Sequence, residues 1–180
     1  LVLRDIKREE YLGGAAAISR HLSQFCNNIT LLSMVGEKEE YLSLIKRKLP
    51  KNVKFKYIKK ANSPTILKTR FLDKISNNKV IGVYKINDHQ LNNNQEKLFN
   101  NYLKKLIPKY DLVIVSDYGH GLISSKSADL IQKLSKYLAL NAQVNAANIG
   151  YHSMRNYQNV DCVIINEKEI RHELRDRDGN

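Results

Sequence analysis

Leu112-Val113-Ile114-Val115-Ser116 is a short, mostly apolar run, and the polar, glycine-rich stretch Asp117-Tyr118-Gly119-His120-Gly121 follows it directly. A second apolar run, Cys162-Val163-Ile164-Ile165, is followed in the same way by Asn166-Glu167-Lys168-Glu169. Apolar runs of this length, bounded by polar residues and glycine, are typical of strands buried in a parallel sheet. In open α/β sheets, ligands bind in the crevice outside the carboxyl ends of the strands. The two stretches therefore predict an α/β enzyme with a ligand site at this edge.

Predicted helices and strands alternate along most of the chain. Helices are predicted over residues 15–25, 39–49, 95–107 and 124–137, and buried strands over residues 29–35, 112–116, 138–141 and 160–165. Strands that alternate with helices imply a parallel sheet with right-handed crossover connections.

Residues 53–86 interrupt this alternation with three runs of period two. Val53, Phe55 and Tyr57 alternate with lysines, and residues 65–71 and 80–86 continue the β pattern. Such alternation indicates an antiparallel sheet with one face in water. Beside the ligand edge of a parallel sheet, this insert is suited to be a lid that excludes water from a transfer reaction.

Composition narrows the class of protein. A chain of 180 residues has room for one main domain, and its formal net charge of +12 suits anionic ligands, nucleic acid or a membrane surface. Because the lysines are scattered and form no long basic block, we expect no nucleic-acid partner. The sequence has no apolar stretch near the ~20 residues of a membrane span and no signal-peptide pattern, so we expect no membrane association and a cytoplasmic location. Cys26 and Cys162 have no metal-ligand spacing and are interpreted as reduced core residues.

Two clusters are candidates for binding an anionic substrate. Gly13 and Gly14 precede a predicted helix, where exposed backbone N–H groups suit an oxygen-rich or anionic ligand. The alternative is a simple turn with a helix cap. Lys68 and Arg70 share one face of a predicted strand, so both could reach a phosphate group. Alternatively, they are a pair of solvated surface cations.

Two further clusters follow the buried strands. Asp117 could accept hydrogen bonds from substrate hydroxyls or act as a base, or it could form a cap or Asx-turn. Asn166 and Glu169 lie three residues apart at a helix start and could order water around a magnesium-phosphate group. The same spacing is that of a capping box.

The order of the motifs along the chain is more specific than any one of them. The motifs are Gly13 to Ala17 opening a helix, Ser63-Pro64-Thr65 with Lys68-Thr69-Arg70, the stretch 116–121, and the N-x-x-E of Asn166 to Glu169. Together they resemble the ribokinase-like (PfkB-type) carbohydrate kinases. The resemblance spans nearly the whole chain. It is greatest for the branch related to heptose-phosphate kinase, some of whose members carry a fused cytidylyltransferase-like domain, and residues 140–150 and 169–177 are also similar to that branch.

This resemblance implies a fold and an activity. The fold would be a ribokinase-like, doubly wound α/β domain with a mostly parallel sheet and a small β-sheet lid. Residues 1–180 would form a partial sugar-kinase domain, with the lid at 53–87 and part of 1–12. The activity would be ATP-dependent phosphorylation of a hydroxyl of a sugar or sugar phosphate, with Mg²⁺.

The resemblance also implies roles for the candidate residues. The residues that would hold the sugar or its phosphate are Gly13, Gly14, Lys68, Arg70 and Asp117. Those that would organise magnesium and the ATP phosphates are Asn166 and Glu169, with Glu169 acting on the metal through water. Relatives often pair through their lids, so a homodimer is expected.

The chain departs from the family pattern at several places. The G-A-G-D motif with the catalytic aspartate is expected beyond Asn180, and the first strand is expected before Leu1. Ala17 stands where many relatives have asparagine, and residues 141–145 replace a segment with Asp and Arg. Two other functions stay open at this point: an inactive sugar-phosphate or nucleotide sensor, and a basic nucleic-acid-binding module.

Overall fold

The computed structural model describes residues 6–143 and 154–176. In chain order its helices and strands are α1 (Gly14–Leu22), β1 (Ile29–Gly36), α2 (Leu42–Lys48), β2 (Val53–Lys60), β3 (Leu67–Leu72), β4 (Lys79–Lys85), α3 (Asn93–Leu106), β5 (Val113–Asp117), α4 (Ser125–Leu134), β6 (Leu138–Ala142), β7 (Cys162–Val163) and α5 (Glu167–Leu174). They are grouped into two compact units, one from residues up to 33 with 41–57, and one from residues 34–40 with those from 58 onward.

The first unit has a small apolar core. Ile29, Leu31 and Val53 are buried there, and partly buried side chains pack against them: Ala15, Ala16, Leu22, Leu49 and Phe55. Helix α1 ends at Leu22, earlier than predicted, because the chain turns at residues 23–26. Phe25 and Cys26 are therefore exposed, and the interpretation of Cys26 as a core residue is wrong.

The second unit contains a three-stranded parallel sheet in the order β5-β6-β7. Residue Val113 of β5 is paired with Leu138 of β6, and Asp117 is paired with Ala142. The middle strand is the most deeply buried, since Leu140 has no exposed surface. This pairing confirms the predicted α/β class with parallel strands.

Helices α3 and α4 pack against each other in the second unit. Ser124 caps α4 by accepting a hydrogen bond from the backbone N–H of Ser127 at 3.2 Å. The buried Ser127 hydroxyl donates to Asn100 of α3 at 2.7 Å. Burial of Phe99 and Ile131 stabilises the folded state by about 1.5–3 kcal/mol for each side chain, relative to leaving it exposed.

Strands β3 and β4 form an antiparallel pair with two chemically distinct faces. Thr69 is paired with Val83 and Phe71 with Ile81, so one face is largely apolar, and the other carries Lys68 and Arg70. The sequence pattern predicts that residues 53–57 belong to the same sheet as this pair. In the structure β2 is paired with β1 instead, because alternation fixes which side chains of a strand are buried but not which strand it pairs with.

None of the described helices is long and apolar enough to span a membrane.

Candidate functional site

Asp117, at the carboxyl end of β5, is buried and hydrogen-bonded. Its Oδ1 accepts from the backbone N–H of Gly119 at 3.0 Å, the Asx-turn that was the alternative to a binding role. Its Oδ2 accepts from the hydroxyl of Tyr157 at 2.8 Å. Burial, together with the negative charge of Asp117, raises the pKa of Tyr157 far above its usual range. Tyr157 therefore stays protonated and holds the carboxylate in place. The contact between Asp117 and a substrate hydroxyl stays a prediction.

His120 lies in the loop that follows Asp117, and its side chain is only 8% exposed. Its Nδ1 lies 2.8 Å from the Oδ1 of Asp88. Burial lowers the pKa of His120, and the nearby Lys68 and Lys60 lower it further, although the bond to Asp88 opposes the shift. The imidazole is therefore neutral at pH 7.

The ammonium group of Lys60 joins two segments of backbone. It donates to the carbonyl of Asn87 at 2.5 Å and to the carbonyl of His120 at 3.0 Å. Lys60 is only 2% exposed, and burial lowers the pKa of its amine. A buried cation needs hydrogen-bond partners in place of water. Lys60 therefore holds the segment after β4, which contains Asn87, near the loop after β5, which contains His120.

Gly121, in the loop after β5, lies in direct contact with the segment after β4. Its φ is +77°, and a Cβ at this position would lie 2.0 Å from the carbonyl oxygen of His89. Its own carbonyl accepts from the backbone N–H of Leu91 at 3.1 Å. Only glycine fits both the conformation and the space.

Lys68 connects the β3–β4 pair with the loop after β5. Its Nζ lies 5.7 Å from the ring centre of Tyr84 and 5.4 Å from that of Tyr118, which are cation-π distances. Burial lowers the pKa of Lys68, and Arg70 lowers it too, while Tyr84 opposes the shift. Lys79 and Arg70 both lower the pKa of the Tyr84 hydroxyl, with Lys79 the larger influence.

Lys68 and Arg70 lie two residues apart in a regular part of β3, paired with Tyr84 and Gly82 of β4, so they share a face of the strand as predicted. Their binding of a phosphate stays a prediction.

Gly13 and Gly14 lie at the start of α1 in the first unit. Gly13 is the N-cap, and no side chain caps this helix start within the described residues. Gly14 has a φ of +51°, which favours glycine, whereas a Cβ on Gly13 would meet nothing within 4 Å. The backbone conformation therefore favours glycine at position 14 but not at position 13.

Asn166 and Glu169 form a capping box at the start of α5. The side chain of Asn166 accepts from the backbone N–H of Lys168 at 2.8 Å, and the Oε2 of Glu169 accepts from the N–H of Asn166 at 3.0 Å. The structural alternative weighed for this motif is thus observed. Its roles toward ATP and magnesium stay predictions. Within residues 6–143 and 154–176, no three His, Cys, Asp or Glu side chains converge to hold a metal ion.

The structure adds residues that the sequence had not marked as functional. They are Lys60, Tyr84, Asp88, Tyr118, His120 and Tyr157. Tyr118 and His120 lie inside the quoted stretch, so their position next to Asp117 was a usable signal. Lys60 and Asp88 lie far from it in the chain and carried no signal. A surface cleft of about 520 Å³, lined by α4 and by Arg155, Asn156, Gln158 and Asn159, contains none of the predicted site residues.

No family model matches this sequence. Curated proteins named Bifunctional protein HldE do match it. One from Nitratiruptor sp. is 30% identical over 133 residues, covering 73% of this chain and 28% of the relative. Another from Wolinella succinogenes is 25% identical over 169 residues, covering 93% of this chain and 35% of the relative.

The chain is similar to HldE proteins. A third example, from Trichlorobacter lovleyi, is 25% identical over 167 residues and matches 92% of this chain. The chain spans about a third of the length of the HldE proteins that it matches. These similarities support the resemblance drawn from the motifs.

The two glycines at the start of α1 are expected to differ in their contribution to stability. We expect Gly14→Ala to lower the free energy of unfolding by about 1–2 kcal/mol, because an L side chain is strained at positive φ. Gly13→Ala should lower it by only about 0.5 kcal/mol, since its Cβ meets no atom and only the preference for glycine over alanine at an N-cap is lost. Urea unfolding of both variants measures this difference. Equal losses of stability would contradict the local geometry.

Proposed function

We propose that this chain is part of an ATP-dependent sugar kinase that phosphorylates a hydroxyl of a sugar or sugar phosphate. The similarity to bifunctional HldE proteins supports a sugar kinase or nucleotidyltransferase, and the order of the motifs favours the kinase part. On this proposal, the fold is the ribokinase-like, doubly wound arrangement, and the β3–β4 pair belongs to its lid.

One observation of the structure carries the proposal: the ammonium of Lys68 lies within cation-π distance of both Tyr84 and Tyr118. Through this contact the basic face of the β3–β4 pair reaches the carboxyl end of a parallel strand, where α/β enzymes bind ligands. Phosphoryl transfer depends mainly on positioning and on the stabilisation of negative charge. Cations at such an edge suit both requirements.

The remaining roles follow from the proposed activity. Gly13 and Gly14 would contact the sugar, Asp117 would line its pocket, and Asn166 with Glu169 would organise ATP and Mg²⁺. The capping box is compatible with this, because its side chains also fix the start of α5 at the end of the sheet. ATP bound with Mg²⁺ would supply the phosphoryl group.

The reaction products decide between the two parts of a bifunctional relative. We expect the protein expressed from the full reading frame that contains this chain to release ADP from ATP in the presence of a heptose phosphate. A nucleotidyltransferase would release pyrophosphate instead. A coupled assay for each product, run with a panel of sugars and sugar phosphates, measures both. Pyrophosphate release without ADP, or no turnover with any sugar, would contradict the proposal.

Lys68 provides a test of the phosphate role. Lys68→Met keeps the length of the side chain and removes its charge, so it should raise the KM for a sugar phosphate by about tenfold or more. The KM for an unphosphorylated sugar should change little. Lys74→Met is a matched control, because Lys74 is exposed in the turn between β3 and β4. Equal effects of the two substitutions, or equal effects on both kinds of sugar, would remove Lys68 from the phosphate site.

We also propose that the protein forms a homodimer through the apolar face of the β3–β4 pair. Phe71, Ile81 and Val83 on this face are each between 43% and 51% exposed. Contiguous exposed apolar side chains of this kind mark interaction surfaces.

Sedimentation equilibrium tests the dimer. The wild type should associate, and Ile81→Asp should be monomeric, because a charge on the apolar face loses its solvation in the interface. Ile75→Asp, at an exposed apolar position in the turn between β3 and β4, should still associate. A monomeric wild type, or an Ile81→Asp dimer, would contradict this surface.

A further inference from the structure

His120 has one ring nitrogen with a partner and one without. Its Nδ1 lies 2.8 Å from the Oδ1 of Asp88. Its Nε2 is buried and has no hydrogen-bond partner in the described part of the chain. Buried polar atoms in folded proteins nearly always have partners, so an exception calls for a functional explanation.

The partner at Nδ1 determines what Nε2 can do. An ionised carboxylate only accepts hydrogen bonds, so Nδ1 carries the proton and donates it to Asp88. In a neutral imidazole this leaves Nε2 as an acceptor. Burial and the positive charges of Lys60 and Lys68 disfavour a second proton on the ring, which keeps Nε2 in this state.

The position of the ring relates this acceptor to the proposed substrate site. His120 lies in the loop that begins at Asp117, and its ring is stacked on that of Tyr118, with centroids 6.1 Å apart and planes inclined by 10°. The ammonium of Lys68 lies 5.4 Å from the centre of the Tyr118 ring. The His120 ring thus shares a loop with Asp117, proposed for the sugar, and is stacked on the ring contacted by Lys68, proposed for its phosphate.

We propose that His120 binds the sugar directly, with Nε2 accepting a hydrogen bond from a sugar hydroxyl. Asp88 is a positioning residue, because it fixes the proton on Nδ1 and so keeps Nε2 free to accept. The inference rests on the proposed kinase function and makes it more specific: this part of the site recognises a hydroxyl. A phosphate oxygen without a proton has nothing to donate to Nε2. Since Nε2 is covered in the free protein, binding must shift neighbouring side chains.

Two substitutions of His120 separate this role from a structural one. The amide of Asn places a polar group near the position of Nδ1 but leaves none near Nε2, whereas the longer Gln places one near Nε2. In the protein expressed from the full reading frame, His120→Asn should raise the KM for a heptose phosphate by about three- to tenfold, with a smaller change in kcat. His120→Gln should change KM by less than about twofold. An unchanged KM in His120→Asn, or equal losses in both variants, would overturn the proposal.

A binding measurement tests the same contact without turnover. The imidazole nitrogen resonances of ¹⁵N-labelled protein report the state of Nε2 directly, and His120→Gln identifies the signal by its absence. Addition of a heptose phosphate should shift the Nε2 resonance, and inorganic phosphate alone should not. No shift with the sugar, or an equal shift with phosphate, would overturn the role of His120. If Nε2 responds to the sugar but no ADP is ever released, the kinase proposal fails and the His120 contact stands.

Discussion

The buried ammonium of Lys60 is the interaction on which the candidate site depends. A charge removed from water is stable only when hydrogen bonds replace its hydration, and Lys60 finds two of these in the carbonyls of Asn87 and His120. The two carbonyls belong to segments that are far apart in the chain. The segment after β4 and the loop after β5 are therefore held together by a side chain from the end of β2.

Other contacts depend on this arrangement. The pair of Asp88 and His120, the hydrogen bond from Leu91 to Gly121, and the close approach of Gly121 to His89 all connect the same two segments. Each of these contacts forms only when the two segments lie close together in space, so each depends on the backbone placement that the others support. The placement of Lys68 beside both Tyr84 and Tyr118 likewise joins the β3–β4 pair to this loop.

Local sequence patterns predicted two of the three described strands of the parallel sheet well. The apolar runs at 112–116 and 138–141 correspond to β5 and β6 within one residue at each end, because burial on both faces of a strand leaves a continuous apolar signal. The pairing of β2 with β1 was missed, since a half-buried strand shows its buried face but not its partner. The end of α1 was missed because Phe25 has the spacing of a core residue, yet the chain has already turned at that point.

The candidate site could be predicted only where it is local in sequence. Asp117, Asn166 and Glu169 stand out because each follows an apolar run of the sequence, and their observed bonds, an Asx-turn and a capping box, are themselves short-range. The prediction of a buried strand before Asn166 is wrong, because β7 has only two residues and Val163 is 41% exposed. The sharing of one face by Lys68 and Arg70 follows from the period of a strand. The roles of Lys60 and Asp88 depend on contacts across more than 25 positions of the chain. No local pattern encodes such contacts.

Hydrogen exchange at the backbone amide of Leu91 tests the central role of Lys60 most directly. This amide donates to Gly121 across the two segments that Lys60 joins. Lys60→Met fills similar space but leaves two carbonyls without their donor, so exchange at Leu91 should accelerate by about tenfold or more. Lys59→Met, at an exposed neighbouring position, should leave it unchanged. Full protection of Leu91 in Lys60→Met would contradict the account.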